Sequence, residues 1–93
     1  MEDVIITLIH PGETEQDDEK TELFAEMNST GRDEFTAAGQ AGYKKSVQFV
    51  VWTNEYDDQP EVIYNGARLT IYRTFNRRDE RTELYAGERV GNR

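Results

Sequence analysis

The 93-residue chain contains no cysteine, which excludes a disulfide framework, a thiolate zinc site and a cysteine nucleophile. No apolar run approaches the ~20 residues that a membrane helix needs. The opening Met1-Glu2-Asp3 lacks the positive charge that starts a secretory signal, and the apolar stretch 4–9 is too short for a signal core. An unexported chain without a membrane span is therefore expected. Hydrophobic residues are scarce, at 35% against 32% charged. Ten aromatic residues (one Trp, five Tyr, four Phe) nevertheless argue against a disordered chain. At this length a single domain covering 1–93 with one modest core is expected, burying roughly 60–65% of the unfolded surface.

Catalytic residue types are equally sparse. His10 is the one histidine, and Ser29 and Ser46 are the two serines, with no nucleophile elbow around either. A general base at His10 would need a pocket and a partner carboxylate within about 3 Å. Its place beside Pro11, at the head of a polar run, predicts a surface histidine. The acidic stretch 13–19 and the Asp57-Asp58 pair lack the glycine step and the ligand number of a calcium loop. Both are expected to be solvated, with no metal and no cofactor.

Charge of one sign is abundant: the net charge is −8. It is unevenly spread, with −8 over residues 1–26, −3 over 27–66 and +3 over 67–93. Such polarity suits head-to-tail contact between copies, although strands that interleave these charges on a solvated surface would carry them equally well.

Period-two alternation dominates the chain. Residues 4–9 read as a strand that is apolar on both faces, and 10–20 as a solvated, mobile loop broken by Pro11-Gly12. Residues 21–29 form a second strand with Leu23, Ala25 and Met27 facing in. The third, 46–53, alternates Val47, Phe49 and Val51 against Gln48, Val50 and Trp52. Strands 61–64 and 67–75 flank Asn65-Gly66, the strongest short hairpin signal because a type I′ turn needs two positive φ angles. After a turn at 76–80 the last strand runs over 81–90, with Leu84 and Ala86 facing in and Gly87 marking a bulge. Six short strands predict an all-β domain, a small closed or partly open antiparallel barrel. Trp52, Tyr64, Leu69, Ile71 and Leu84 are its expected core.

Two segments depart from that pattern. Arg68, Tyr72, Arg73, Phe75, Arg77, Arg78 and Arg81 interleave basic and aromatic residues, as a single-strand nucleic-acid platform of the OB type requires. The acidic balance opposes it, since phosphate neutralisation supplies most of that binding. Residues 30–45 lose the alternation altogether and carry three glycines and three alanines. Thr30 and Asp33 resemble a capping box, so a short helix over 33–38 is expected, ended by Gly39 and Gly42. A loop this long in so small a domain is functional or disordered.

Here the sequence also resembles a known family. The run Glu34-Phe35-Thr36-Ala37-Ala38-Gly39-Gln40-Ala41-Gly42, followed by Phe49-Val50-Val51-Trp52, resembles the head–tail joining proteins of long-tailed bacteriophages, also called head-closure, head-completion or stopper proteins. The similarity continues through Glu61-Val62-Ile63-Tyr64-Asn65-Gly66 and Leu69-Thr70-Ile71-Tyr72-Arg73-Thr74, then Glu83-Leu84-Tyr85 and Arg89-Val90-Gly91. It covers about two-thirds of the chain, from near Met27 onward. The resemblance implies a small β-barrel that joins a ring, a dodecamer, below the portal and its adaptor, with tail-side proteins docking beneath. It implies a place in the virion neck, assembly in the host bacterial cytoplasm, and no enzyme activity. The long loop would face the tunnel and its packaged double-stranded DNA through Phe35, Gly39, Gln40, Gly42, Tyr43, Lys44 and Lys45. Arg73, Arg77, Arg78 and Arg81 would be subunit or nucleic-acid contacts. A tail-terminator or other neck component is the nearest alternative, and an OB-like single-strand binder the more distant one. The acidic stretch 13–19 lies outside the resemblance.

Overall fold

The computed structural model describes residues 2–29, 39 and 42–89, which form a closed antiparallel barrel. Its strands are β1 (Glu2–His10), β2 (Glu19–Ser29), β3 (Tyr43–Trp52), β4 (Glu61–Tyr64), β5 (Ala67–Asn76) and β6 (Arg81–Arg89). Around the barrel they run β1-β2-β3-β6-β5-β4, and β4 closes the circle by pairing Glu61–Ile63 with Thr7–Ile9 of β1. Two single 3-10 turns lie at Glu15–Asp17 and Thr53–Glu55, and Gly39 is in helical conformation. The all-β barrel read from the alternation is thus the observed fold. The short helix expected over 33–38 lies outside the described residues.

Closure follows from the pattern. Alternate positions of each strand, Ile6 and Leu8, Leu23 and Ala25, Phe49 and Val51, Val62, Leu69, and Leu84 and Ala86, converge in one buried cluster. Tyr64 packs its ring edge-on against Phe49 with centroids 5.5 Å apart, and Ile71 lies against the same cluster. Leu8, Phe49, Val62, Leu84 and Ala86 are all fully buried. Each large side chain there contributes about 1.5–3 kcal/mol by leaving water. Trp52 is the exception to the expected core. It stands one position out of phase with Val51, points outward and is 48% exposed.

Turn chemistry sets the registers. Asn65 and Gly66 adopt φ of 53° and 81°, the two positive angles of the expected hairpin turn. Gly87 is flanked by two irregularities, one on each neighbouring strand. β3 shifts register against β6 between Lys44 and Val47, and β5 shifts between Ile71 and Arg73. In place of the single bulge expected at Gly87 of β6, each of its partner strands carries one.

The acidic stretch is a solvent-exposed, hydrogen-bonded turn, shorter than the expected loop because Glu19 and Lys20 belong to β2. Asp17 N–H donates to Thr14 O at 3.0 Å, and Gly12 N–H donates to Asp18 Oδ1 at 2.8 Å. Asp18, its side chain only 4% exposed, also meets Arg68 Nη1 at 3.5 Å. Arg68 in turn donates from Nε to Glu61 Oε1 at 2.7 Å. Glycine is required at position 12, because a Cβ there would lie 2.5 Å from the Asp17 side chain and carbonyl oxygen. Glu13, Glu15 and Asp17 remain exposed.

Candidate functional site

The inside of the barrel is filled, so the groups available for function stand on its outer face, at its turns and in the connection between β2 and β3. Of the residues assigned to that connection, Phe35 and Gln40 lie outside the described residues. Gly42 adopts φ of 94° and donates its N–H to Gly39 O at 3.1 Å, a turn that delivers the chain into β3. β3 begins three residues before the expected 46, so Tyr43, Lys44 and Lys45 belong to a strand of the barrel.

Tyr43 stacks on Tyr72 with ring centroids 4.9 Å apart and planes at 15°. Ser46 Oγ and Tyr72 Oη lie 2.6 Å apart. These contacts join β3 to β5 across the intervening β6. The stack anchors the end of the loop to the barrel.

The four arginines singled out from the sequence share an outer region but not a common free surface. Arg77 Nε donates to Glu83 Oε2 at 2.6 Å. Arg81 lies over the Trp52 ring at 4.4 Å and meets Glu26 at 3.5 Å, while Arg73 covers the Tyr85 ring at 4.0 Å. Arg78 is exposed in the β5–β6 turn. A chain of hydrogen bonds runs below them. Asn28 donates to Gln48 Oε1 at 2.9 Å, Gln48 Nε2 to Tyr85 Oη at 2.9 Å, and Tyr85 Oη to Glu83 Oε1 at 2.6 Å. The Glu83 carboxyl is pushed up by burial, yet Tyr85 and Arg77 outweigh this and hold it below the usual glutamate value. Burial and then Glu83 raise the Tyr85 hydroxyl. Guanidinium groups neutralised in this way by carboxylates offer little to a phosphate backbone.

His10 Nε2 lies 3.3 Å from Asp57 Oδ2, and that aspartate is 90% exposed, so the pair sits in water as a surface histidine should. Among the described residues no group of three or more His, Asp or Glu is placed to hold a metal ion.

One feature the sequence reading passed over is an apolar surface patch. Ile5 and Phe24 are paired across β1 and β2 and are 53% and 74% exposed. Trp52 stands beside them at the end of β3. Between Phe24 and Trp52 run two adjoining grooves of about 380 and 340 Å³. Their rim carries Asp3, Glu22, Glu26 and Glu55. Phase was the available signal: Phe24 falls between Leu23 and Ala25, and Trp52 falls after Val51, on the faces the alternation assigns to solvent. Comparison with protein-family models, with curated proteins and with solved structures finds no match.

Proposed function

We propose that the protein is a structural subunit of the head–tail connector of a tailed bacteriophage or prophage, a head-closure protein that works by ring assembly and gating without bond chemistry. The carrying observation is the ordered series of segments that resembles head–tail joining proteins, from residue 34 to residue 91. The barrel is compatible with it. The described residues of the matching segments after residue 42 fall on β3 to β6 and their turns, and the loop of the resemblance leads from the end of β2 into the start of β3. In this reading copies associate as a ring below the portal and adaptor, and tail-side proteins dock on the ring. The loop faces the double-stranded DNA of the tunnel, with Tyr43 holding its root on Tyr72. A net charge of −8 lets DNA pass without adhering, since phosphates are repelled.

The test is removal of the reading frame from its phage or prophage, followed by electron microscopy of induced lysates. Separate tails beside capsids that have lost their DNA are expected. DNA-retaining heads with abnormal tails would move the protein to the tail side of the joint, and normal infectious particles would refute the virion reading. A deletion within residues 31–41, which spares Gly42 and all of β3, is expected to leave cooperative unfolding intact while abolishing head closure. Loss of cooperativity would make that segment structural instead.

A further inference from the structure

β2 is longer than its contact with β3. The two strands pair only from Glu26↔Val50 to Ser29↔Val47. Continuing the register would set Ala25 against Val51 and Phe24 against Trp52, but no such pairs form. The cause lies at the end of β3, where Thr53 N–H donates to Glu80 O at 2.8 Å and Thr53 Oγ1 meets Thr82 Oγ1 at 2.9 Å. These contacts draw the chain after Trp52 toward β6 and away from β2. Among the described residues, 19–25 of β2 therefore pair with β1 on one side and with no strand on the other. The grooves beside Phe24 and Trp52 lie along this gap, and Leu23 and Ala25 of the core reach into it.

An unpaired edge presents main-chain donors and acceptors in register for another strand. This one is bordered by apolar side chains and by mainly acidic charge, Lys20 being the one cation within residues 19–25. Asp3, Glu22, Glu26 and Glu55 line the grooves against a single cation, Arg81, which Glu26 already engages. On the outer face of β2 the order is Glu22, Phe24, Glu26, and on the inner face Leu23, Ala25.

We propose that the gap between β2 and Trp52 is a strand-addition site for an extended segment of a partner protein. The outward side chains of that segment run basic, apolar, basic, and its inward ones are apolar. Main-chain bonds to residues 19–25 supply the pairing, the central apolar side chain lies between Phe24 and Trp52, and the flanking cations meet Glu22 and the carboxylates beside it. The site does not depend on the head-closure reading.

Trp52 is the only tryptophan and reports on the gap directly. The probe is the peptide acetyl-Thr-Lys-Val-Leu-Val-Lys-Thr-amide, titrated against the full chain by Trp52 fluorescence and by amide hydrogen exchange. A saturable emission change is expected, together with slowed exchange confined to residues 19–25. N-methylation of alternate peptide amides, or replacement of both lysines by glutamate, is expected to weaken binding at least about tenfold. Phe24→Ala removes an exposed ring, so it should keep the melting temperature while weakening binding about tenfold. Four outcomes would overturn the proposal: no response at about 1 mM peptide, an emission change without slowed exchange, equal binding of the N-methylated peptide, or tighter binding of a proline-rich basic peptide. Protein-concentration-dependent slowing of the same amides without peptide would assign the gap to a second copy and likewise overturn it.

Discussion

Glu83→Gln tests how far the outer face is held by charge. The Glu83 side chain is 14% exposed and accepts two short hydrogen bonds, both at 2.6 Å, from Arg77 Nε and Tyr85 Oη. Glutamine preserves shape but removes the charge and puts an NH2 donor in place of one of the two accepting oxygens. A hydrogen bond to a charged group contributes about 1.5–3 kcal/mol and a neutral one about 0.5–1.5, so the bond that stays loses about 1 kcal/mol and the other loses its whole contribution. Arg77 is 31% exposed and recovers part of its solvation from water. The net destabilisation is about 2–4 kcal/mol, a fall in Tm of about 8–32 °C for a domain of this size. Because the folded carboxyl is held below its ordinary value of 4.5, the contribution is fully present above that pH and is lost as pH falls through the depressed folded value. Urea unfolding of the two proteins from pH 7 down to about pH 3 should show a constant gap that closes only in acid. Equal stability at pH 7, or a gap that ignores pH, would refute the reasoning. A cycle with Arg77→Gln separates the ion pair from the Tyr85 bond.

Three further expectations follow from particular contacts. Gly12→Ala forces a Cβ to within 2.5 Å of Asp17, so the turn must open, with a loss of about 1–3 kcal/mol and faster proteolytic cleavage within 13–18; an unchanged digestion pattern would count against the turn. Tyr56, raised to about 12 by burial and then by Asp58, should appear in an ultraviolet titration as a late-ionising tyrosine that Tyr56→Phe removes. Its stabilising contribution is present below pH 10 and lost as pH rises through about 12. Gly66→Ala places a side chain at φ of 81° and should cost about 1–2 kcal/mol in urea unfolding; no loss would show that the hairpin turn relaxes freely.

The strands and their inward residues were legible because period two is a strong signal and the closed sheet obeys it: Leu23, Ala25, Phe49, Val51, Leu84 and Ala86 all face in. Asn65-Gly66 announced its turn because two successive positive φ angles leave few other residue choices. Trp52 was misread because size and hydrophobicity suggested burial while its phase did not. The acidic turn was illegible because its order comes from Gly12 touching Asp17 and from Arg68 reaching Asp18, fifty residues away, a contact that no local pattern encodes. The early start of β3 has the same origin. Tyr43 is fixed by a ring on β5, so its place depends on a strand read much later in the chain.

This division between local and distant signals bears on where function can lie. The six-stranded barrel fills its interior with Phe49, Leu8, Val62 and Leu84, all fully buried. What remains is outside: a tyrosine stack at the root of the loop, arginines largely spent on their own carboxylates and rings, and an aromatic edge with acidic borders. Each kind of surface makes a different demand on a partner. Arginines held by glutamates discriminate poorly in favour of phosphate, whereas an unpaired strand edge demands another main chain and its acidic rim demands cations on it. The surface chemistry therefore favours protein contact over nucleic-acid binding. In a head-closure ring this would place the DNA against the loop and the neighbouring proteins against the barrel wall.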